Sequence, residues 1–233
     1  MNDTLYQAAT LVLPLIFAIV FHEVAHGWMA RALGDSTAHE LNRLSLNPLR
    51  HVDPVGTILL PGALKLMGLP VFGWAKPVPV VYARLRNPQR DMAFVAAAGP
   101  ATNFILAAIA AVAFGLILRN ADPQIAPAPW VVFLADNLRN FLLINVFLGT
   151  FNLIPLPPFD GSRILRGILP MSGARLLDRI EPLGIPFFII IFVLVPQLMP
   201  GLRIVDQIVE PPMTWMLNQY QQLITLVAGP ELD

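Results

Sequence analysis

Two histidines four residues apart, His22 and His26, flank Glu23 in the stretch FHEVAHGWMARALGD, Phe21 to Asp35. On a helix that spacing is about 40° of rotation and one turn of rise, so both imidazoles share a face. Such a pair can hold one zinc ion, with the glutamate beside it as general base. The residues directly before, AATLVLPLIFAIV, carry no charge. Three ionisable groups at the end of an apolar segment are costly in a bilayer, which favours a functional reading over histidines that merely bond to neighbouring helices.

A catalytic zinc takes three protein ligands and keeps one position open. The pattern HExxHxxGxxH fails here, because Met29 and Ala32 stand at its glycine and third histidine. His39, Glu40, His51 and Asp53 lie in a polar loop, where surface or capping roles fit. Asp160, in FNLIPLPPFDGSRIL, is the better candidate. Taken alone, it reads equally well as the N-cap of the helix beginning SRILRGIL. Pro155, Pro157 and Pro158 argue for more, since they break the preceding helix, and Gly161 allows a sharp turn beside the carboxylate. The chain has no cysteine, which excludes disulfides, thiolate metal sites and a cysteine nucleophile.

The elements that must position these residues are apolar. Of 233 residues, 56% are hydrophobic and 13% charged, where a soluble domain carries about 25% charged residues. The length suits one bundle of a few spans rather than two domains. Formal net charge is zero, so nothing points to nucleic acid. The leading MNDTLYQ has no positive charge and no small-residue cleavage site follows, so the first apolar run reads as a retained span. The expected fold is an all-α polytopic membrane protein with about four transmembrane helices, roughly 8–33, 92–118, 130–156 and 183–199. A re-entrant, β-rich membrane-associated segment, 54–81, comes between the first and second, because VFGWAKPVPVVYARL is rich in β-formers. Residues 1–200 then form one domain, and 201–233 a tail that lies on the outer surface as an amphipathic helix or packs on the bundle.

With four spans, Arg31, Arg43, Arg50, Lys76, Arg84, Arg86, Arg90, Arg163, Arg166, Arg175 and Arg179 fall on one side, which the positive-inside rule makes cytoplasmic. The histidines then sit near the cytoplasmic side of the cell membrane, and both termini lie outside. Asp136 and Arg139 are spaced to pair on one helix face. Asp3, Asp35, Glu40 and the C-terminal acids read as solvated groups.

HEVAH, AGPATN and NLIPLPPFDG, in this order, resemble the intramembrane zinc metalloproteases of the site-2 protease family. The loop LNRLSLNPLRHVDPVGTILLP followed by FGWAKPVPV is similar to the family's short bacterial branch, with no room for the PDZ or CBS domains that others carry. The resemblance runs from about Leu11 to Leu198. It implies that His22, His26 and Asp160 are the ligands of one zinc ion and that Glu23 is catalytic. It also implies that Asn152 helps to position substrate, and it matches Asn103 to the asparagine of the GPxxN motif. The substrate it implies is a transmembrane segment of another protein within the lipid bilayer, cut in regulated intramembrane proteolysis.

The chemistry of the residues agrees. Zinc lowers the pKa of water from about 16 towards 7. Glu23 accepts the proton and delivers it to the leaving amine, and Asn152 or Asn103 donates to the developing oxyanion. An unwound substrate strand could pair with the extended segment around Trp74 and Val80. Two competing readings are an inactive family member that binds membrane partners and a cation transporter. The intact Glu23 opposes the first, and the absence of repeat symmetry opposes the second.

Overall fold

Apolar runs punctuated by proline and glycine fold here into long helices joined by irregular backbone. The computed structural model describes residues 3–68, 73–122 and 124–229. In chain order its main helices are α1 (Asp3–Ala32), α2 (Leu60–Leu66), α3 (Pro88–Arg119), α4 (Pro129–Asn152), α5 (Asp160–Ile168), α6 (Met171–Leu198) and α7 (Ile204–Ala228). Four of them, α1, α3, α4 and α6, are long and apolar enough to cross a membrane. Their outer faces carry large apolar side chains: Ile105 and Ile109 are 60% and 58% exposed, a surface that lipid covers and water would not. Both α3 and α4 begin with proline, whose missing N–H costs nothing at the first helical position. In α3, Asp91 also accepts the Asn87 N–H at 2.8 Å, closing the first turn. At the end of α1, Gly34 takes φ +116°, a backbone conformation open to glycine.

The chain divides into two compact units. The first comprises Met1–Ala18, Pro100–Phe151 and Asp206–Asp233. Its core joins Ala107, Ala110 and Ala111 of α3 to Leu142 and Val146 of α4 and to Tyr220 and Ile224 of α7. Small residues let α3 and α7 approach closely: a Cβ at Gly115 would lie 2.9 Å from the Ile224 carbonyl oxygen. The Tyr220 hydroxyl donates to the Phe104 carbonyl at 2.8 Å, so the C-terminal helix is packed into this unit. Two buried asparagines of the unit are paired. Asn103 donates to Asn145 Oδ1 at 2.8 Å, and Asn140 donates to the Thr10 carbonyl at 2.8 Å. Asp136 does not pair with Arg139: it accepts the Tyr6 hydroxyl at 2.6 Å, while Arg139 is exposed. A neutral phenol satisfies the carboxylate without burying a second charge.

The second unit comprises Ile19–Gly99 and Asn152–Val205. Here the expected β-rich segment is overturned, since no β-strand occurs among the described residues. Pro54–Leu59 is π-helical and runs into α2; 73–81 is irregular or extended, and 69–72 lie outside the described residues. The β-forming composition does produce extended backbone, but Pro77 and Pro79 remove alternate ladder donors. Of the donors that remain, those of Trp74, Lys76 and Val81 bond groups outside any strand. Trp74 N–H reaches the Gly56 carbonyl (3.1 Å), Lys76 N–H the His51 carbonyl (2.8 Å), and Val81 N–H the Asp35 carboxylate (2.6 Å). Asp35 is thus no solvated group. It is 0% exposed and ties the end of α1 to this segment. Asp53 caps the π-helical stretch, accepting the Val55 and Gly56 amides at 3.0 and 2.7 Å.

Candidate metal centre

The second half of α1 presents His22 and His26 one turn apart, as their spacing requires. Their Nε2 atoms are 3.0 Å from each other, and the rings stand at 89°. Asp160 closes the triangle, with its Oδ2 3.2 Å from each histidine Nε2. All three side chains are largely buried, at 9%, 12% and 9% exposed for His22, His26 and Asp160. The carboxylate arrives there because the helix before it stops at Asn152 and the proline-rich turn leads directly into α5. Gly161 makes the turn feasible, since a Cβ there would lie 2.3 Å from the Leu153 carbonyl oxygen. Asp160 is the first residue of α5 and Phe159 its N-cap, so the carboxylate is not a plain helix cap.

The donor set fits a zinc ion. His26 Nδ1 lies 2.7 Å from the Val95 carbonyl, so it carries the proton and directs the Nε2 lone pair inward. Asp160 Oδ2 is buried with no hydrogen-bond donor of its own. Three such atoms, within 4.8 Å of one another, ask for a cation. Tetrahedral zinc with bonds of about 2.0 Å has ligands about 3.3 Å apart, close to the 3.0–3.2 Å seen here. The triad can therefore coordinate a single zinc ion.

Gly99 of α3 shapes the space beside these ligands. A Cβ there would lie 2.5 Å from His26 Nε2 and 2.6 Å from His22 Cε1, so only glycine leaves room for both rings. AGPATN held this signal as a motif, but the need for glycine becomes visible only in the packing. Glu23, next to His22, accepts the Val78 amide at Oε2, 2.8 Å away. Asn152 ends α4 half-buried. Asn103 is fully buried in the other unit, with its amide on Asn145. Trp74 has both backbone groups engaged, with Gly56 and with the Thr57 hydroxyl. Val80 is half-buried in the same extended segment.

A buried His, His and Asp triad beside a glutamate, in a bundle of membrane-length helices, defines the class as zinc metallopeptidase. The comparisons with known proteins agree. The family model for Peptidase family M50 matches residues 133–195. YwhC of Bacillus subtilis is 37% identical over 183 residues, covering 78% of this chain and 80% of that protein. Rip2 of Mycolicibacterium smegmatis is 28% identical over 181 residues, 77% and 64% of the two chains. MJ0392 of Methanocaldococcus jannaschii is 26% identical over 169 residues, 72% and 37%. All three carry the name zinc metalloprotease. No solved structure matches the chain. The protein belongs to peptidase family M50. It is an intramembrane zinc metalloendopeptidase of the site-2 protease type, acting on membrane-embedded protein in the lipid bilayer.

Proposed function

We propose that the protein cuts a transmembrane segment of another membrane protein, with Glu23 as general base and His22, His26 and Asp160 as its zinc ligands. The observation that carries this reading is the meeting of three buried ligand atoms next to the one glutamate between the histidines. Bound zinc supplies the Lewis acidity that peptide hydrolysis needs. Val95 holds His26 in the tautomer whose Nε2 faces the centre. Glu23 takes the proton from water and returns it to the leaving amine nitrogen. A substrate helix has its carbonyls in its own ladder, so it must unwind locally before it is cut. Asn152, at the end of α4 and eight residues before Asp160, is assigned to the unwound substrate backbone. We assign Asn103, through Asn145, to holding α3, the helix that carries Gly99.

Positive charges flank the ends of the spans nearest the histidines, which supports a centre close to the cytoplasmic face of the cell membrane and termini on the far side. The direct test is zinc content per mole of purified protein, with cleavage of co-expressed single-span reporters read by mass spectrometry. Wild type and Glu23→Gln are expected to hold about one zinc each. Asp160→Ala should lose it, and wild type alone should cut. A zinc-replete Glu23→Gln that cuts as fast as wild type would sink the assignment.

A further inference from the structure

Glu23 and Gly27 stand four residues apart on α1, on a face next to that of His22 and His26. Across it runs an extended strap, residues 76–81. The Val78 amide donates to Glu23 Oε2 at 2.8 Å. Its side chain is 7% exposed and sits on Gly27, where an added Cβ would come within 2.8 Å of Val78 Cγ1. The neighbours on either side, Pro77 and Pro79, have no N–H. Val78 therefore carries the single amide donor between Lys76 and Val80. The strap is fixed on both sides of that donor. Lys76 N–H bonds the His51 carbonyl at 2.8 Å, Arg43 donates to the Lys76 carbonyl at 2.8 Å, and Asp35 takes the Val81 amide at 2.6 Å.

We propose that the Val78 amide is a positioning group for catalysis, holding one oxygen of Glu23 so that Oε1 is left, in fixed orientation, to accept and return the proton. This rests on the reading of Glu23 as general base. A glutamate side chain has three rotatable bonds, and a displacement of about 1 Å at a reacting group can cost about 10²-fold in rate. A tether bonded to one carboxylate oxygen removes that freedom. The proline on each side leaves the tether no competing donor, and Gly27 lets it come close enough to bond.

Val78→Pro deletes the N–H within a run that already alternates with proline, whereas Val78→Ala keeps the N–H and trims the side chain. Zinc content, KM and kcat are measured for both on a single-span reporter that wild type cuts. The expected result is equal zinc and similar KM, with kcat for Val78→Pro about 10-fold or more below that of Val78→Ala. Gly27→Ala displaces the strap by a different route and should lower kcat in the same way. If Val78→Pro keeps its zinc and turns over as fast as Val78→Ala, or faster, the proposal is wrong. The strap would then be an ordinary packing element or a latch that restrains Glu23. If Val78→Pro loses zinc, Gly27→Ala decides, and an unaltered kcat there overturns the proposal. Glu23→Gln separates the two readings: continued cleavage by that variant removes Glu23 as base, whatever Val78 does.

Discussion

At the scale of single residues, the centre depends as much on a missing side chain as on its ligands. Gly99 faces both imidazoles, and any Cβ would press on them from about the same distance, 2.5–2.6 Å. Gly99→Ala is expected to reduce bound zinc well below one per chain while the helices persist, as read by metal analysis beside circular dichroism. Unchanged zinc would mean that the rings can move aside. Asp35 provides a second test. Its oxygens accept the Thr37 N–H at 3.0 Å, the Thr37 hydroxyl and the Val81 amide. Burial pushes its pKa up, but these hydrogen bonds and nearby Arg84 together hold it below the ordinary value. A carboxylate whose pKa falls on folding stabilises the fold above its unfolded pKa, about 3.9, and that contribution fades as pH drops through the folded value. Asp35→Asn should therefore be less stable than wild type at neutral pH by about 2 kcal/mol. The gap in melting temperature should narrow at acidic pH, and a gap independent of pH would refute the charge-based account. Nothing in the local sequence separates Asp35 from a solvated loop acid. Its partner Val81 lies 46 residues away, so only the fold reveals the bond.

At the scale of elements, the packing of α7 on α3 rests on Ala107, Ala111 and Gly115, a small residue at every fourth position. Between helices in lipid, close approach rather than expulsion of water drives association. Gly115→Leu would force its side chain into Val227 and the Ile224 carbonyl and should cost about 1–3 kcal/mol. Lower melting temperature and faster protease clipping of α7 would be the readout; an unchanged melt would show that α7 is only loosely attached. The tail sequence WMLNQYQQLITLV left a surface helix and a packed helix equally open, because its apolar positions suit either. In the structure, Tyr220 and Ile224 contact α3. The segment 54–81 departs from its β-rich expectation for a related reason. Val-rich composition favours extended backbone, but a sheet also needs a neighbouring edge with free donors and acceptors. The groups that meet this segment are the carboxylates of Glu23 and Asp35 and the carbonyls of His51 and Gly56 instead.

At the scale of the whole molecule, orientation in the bilayer is the proposal most open to direct test. Because the chain has no cysteine, single cysteines can be introduced without background. A cysteine at Arg50 should react only with reagents that cross the membrane, whereas one at Arg119 should also react with impermeant reagents added from outside. The reverse pattern would overturn the orientation. Zinc should also support the fold. With free zinc at about 100 times its dissociation constant, binding adds about 2.7 kcal/mol, so chelation should lower the melting temperature of wild type and leave Asp160→Ala unmoved. Sequence by itself determined the membrane class, the four apolar spans and the shared face of His22 and His26. These follow from composition, run length and helical period, which are local properties. Asp160 stood out only as a carboxylate after a proline-rich break, with ligand and cap evenly matched from the residues alone. Which groups approach one another across distant chain was decided by tertiary structure: Asp160 on the histidines, Gly99 beside them, Val78 on Glu23 and Asp35 on Val81. The reason is physical. A buried donor or charge must be satisfied by whatever the packing brings within about 3 Å, and that partner has no fixed separation in sequence.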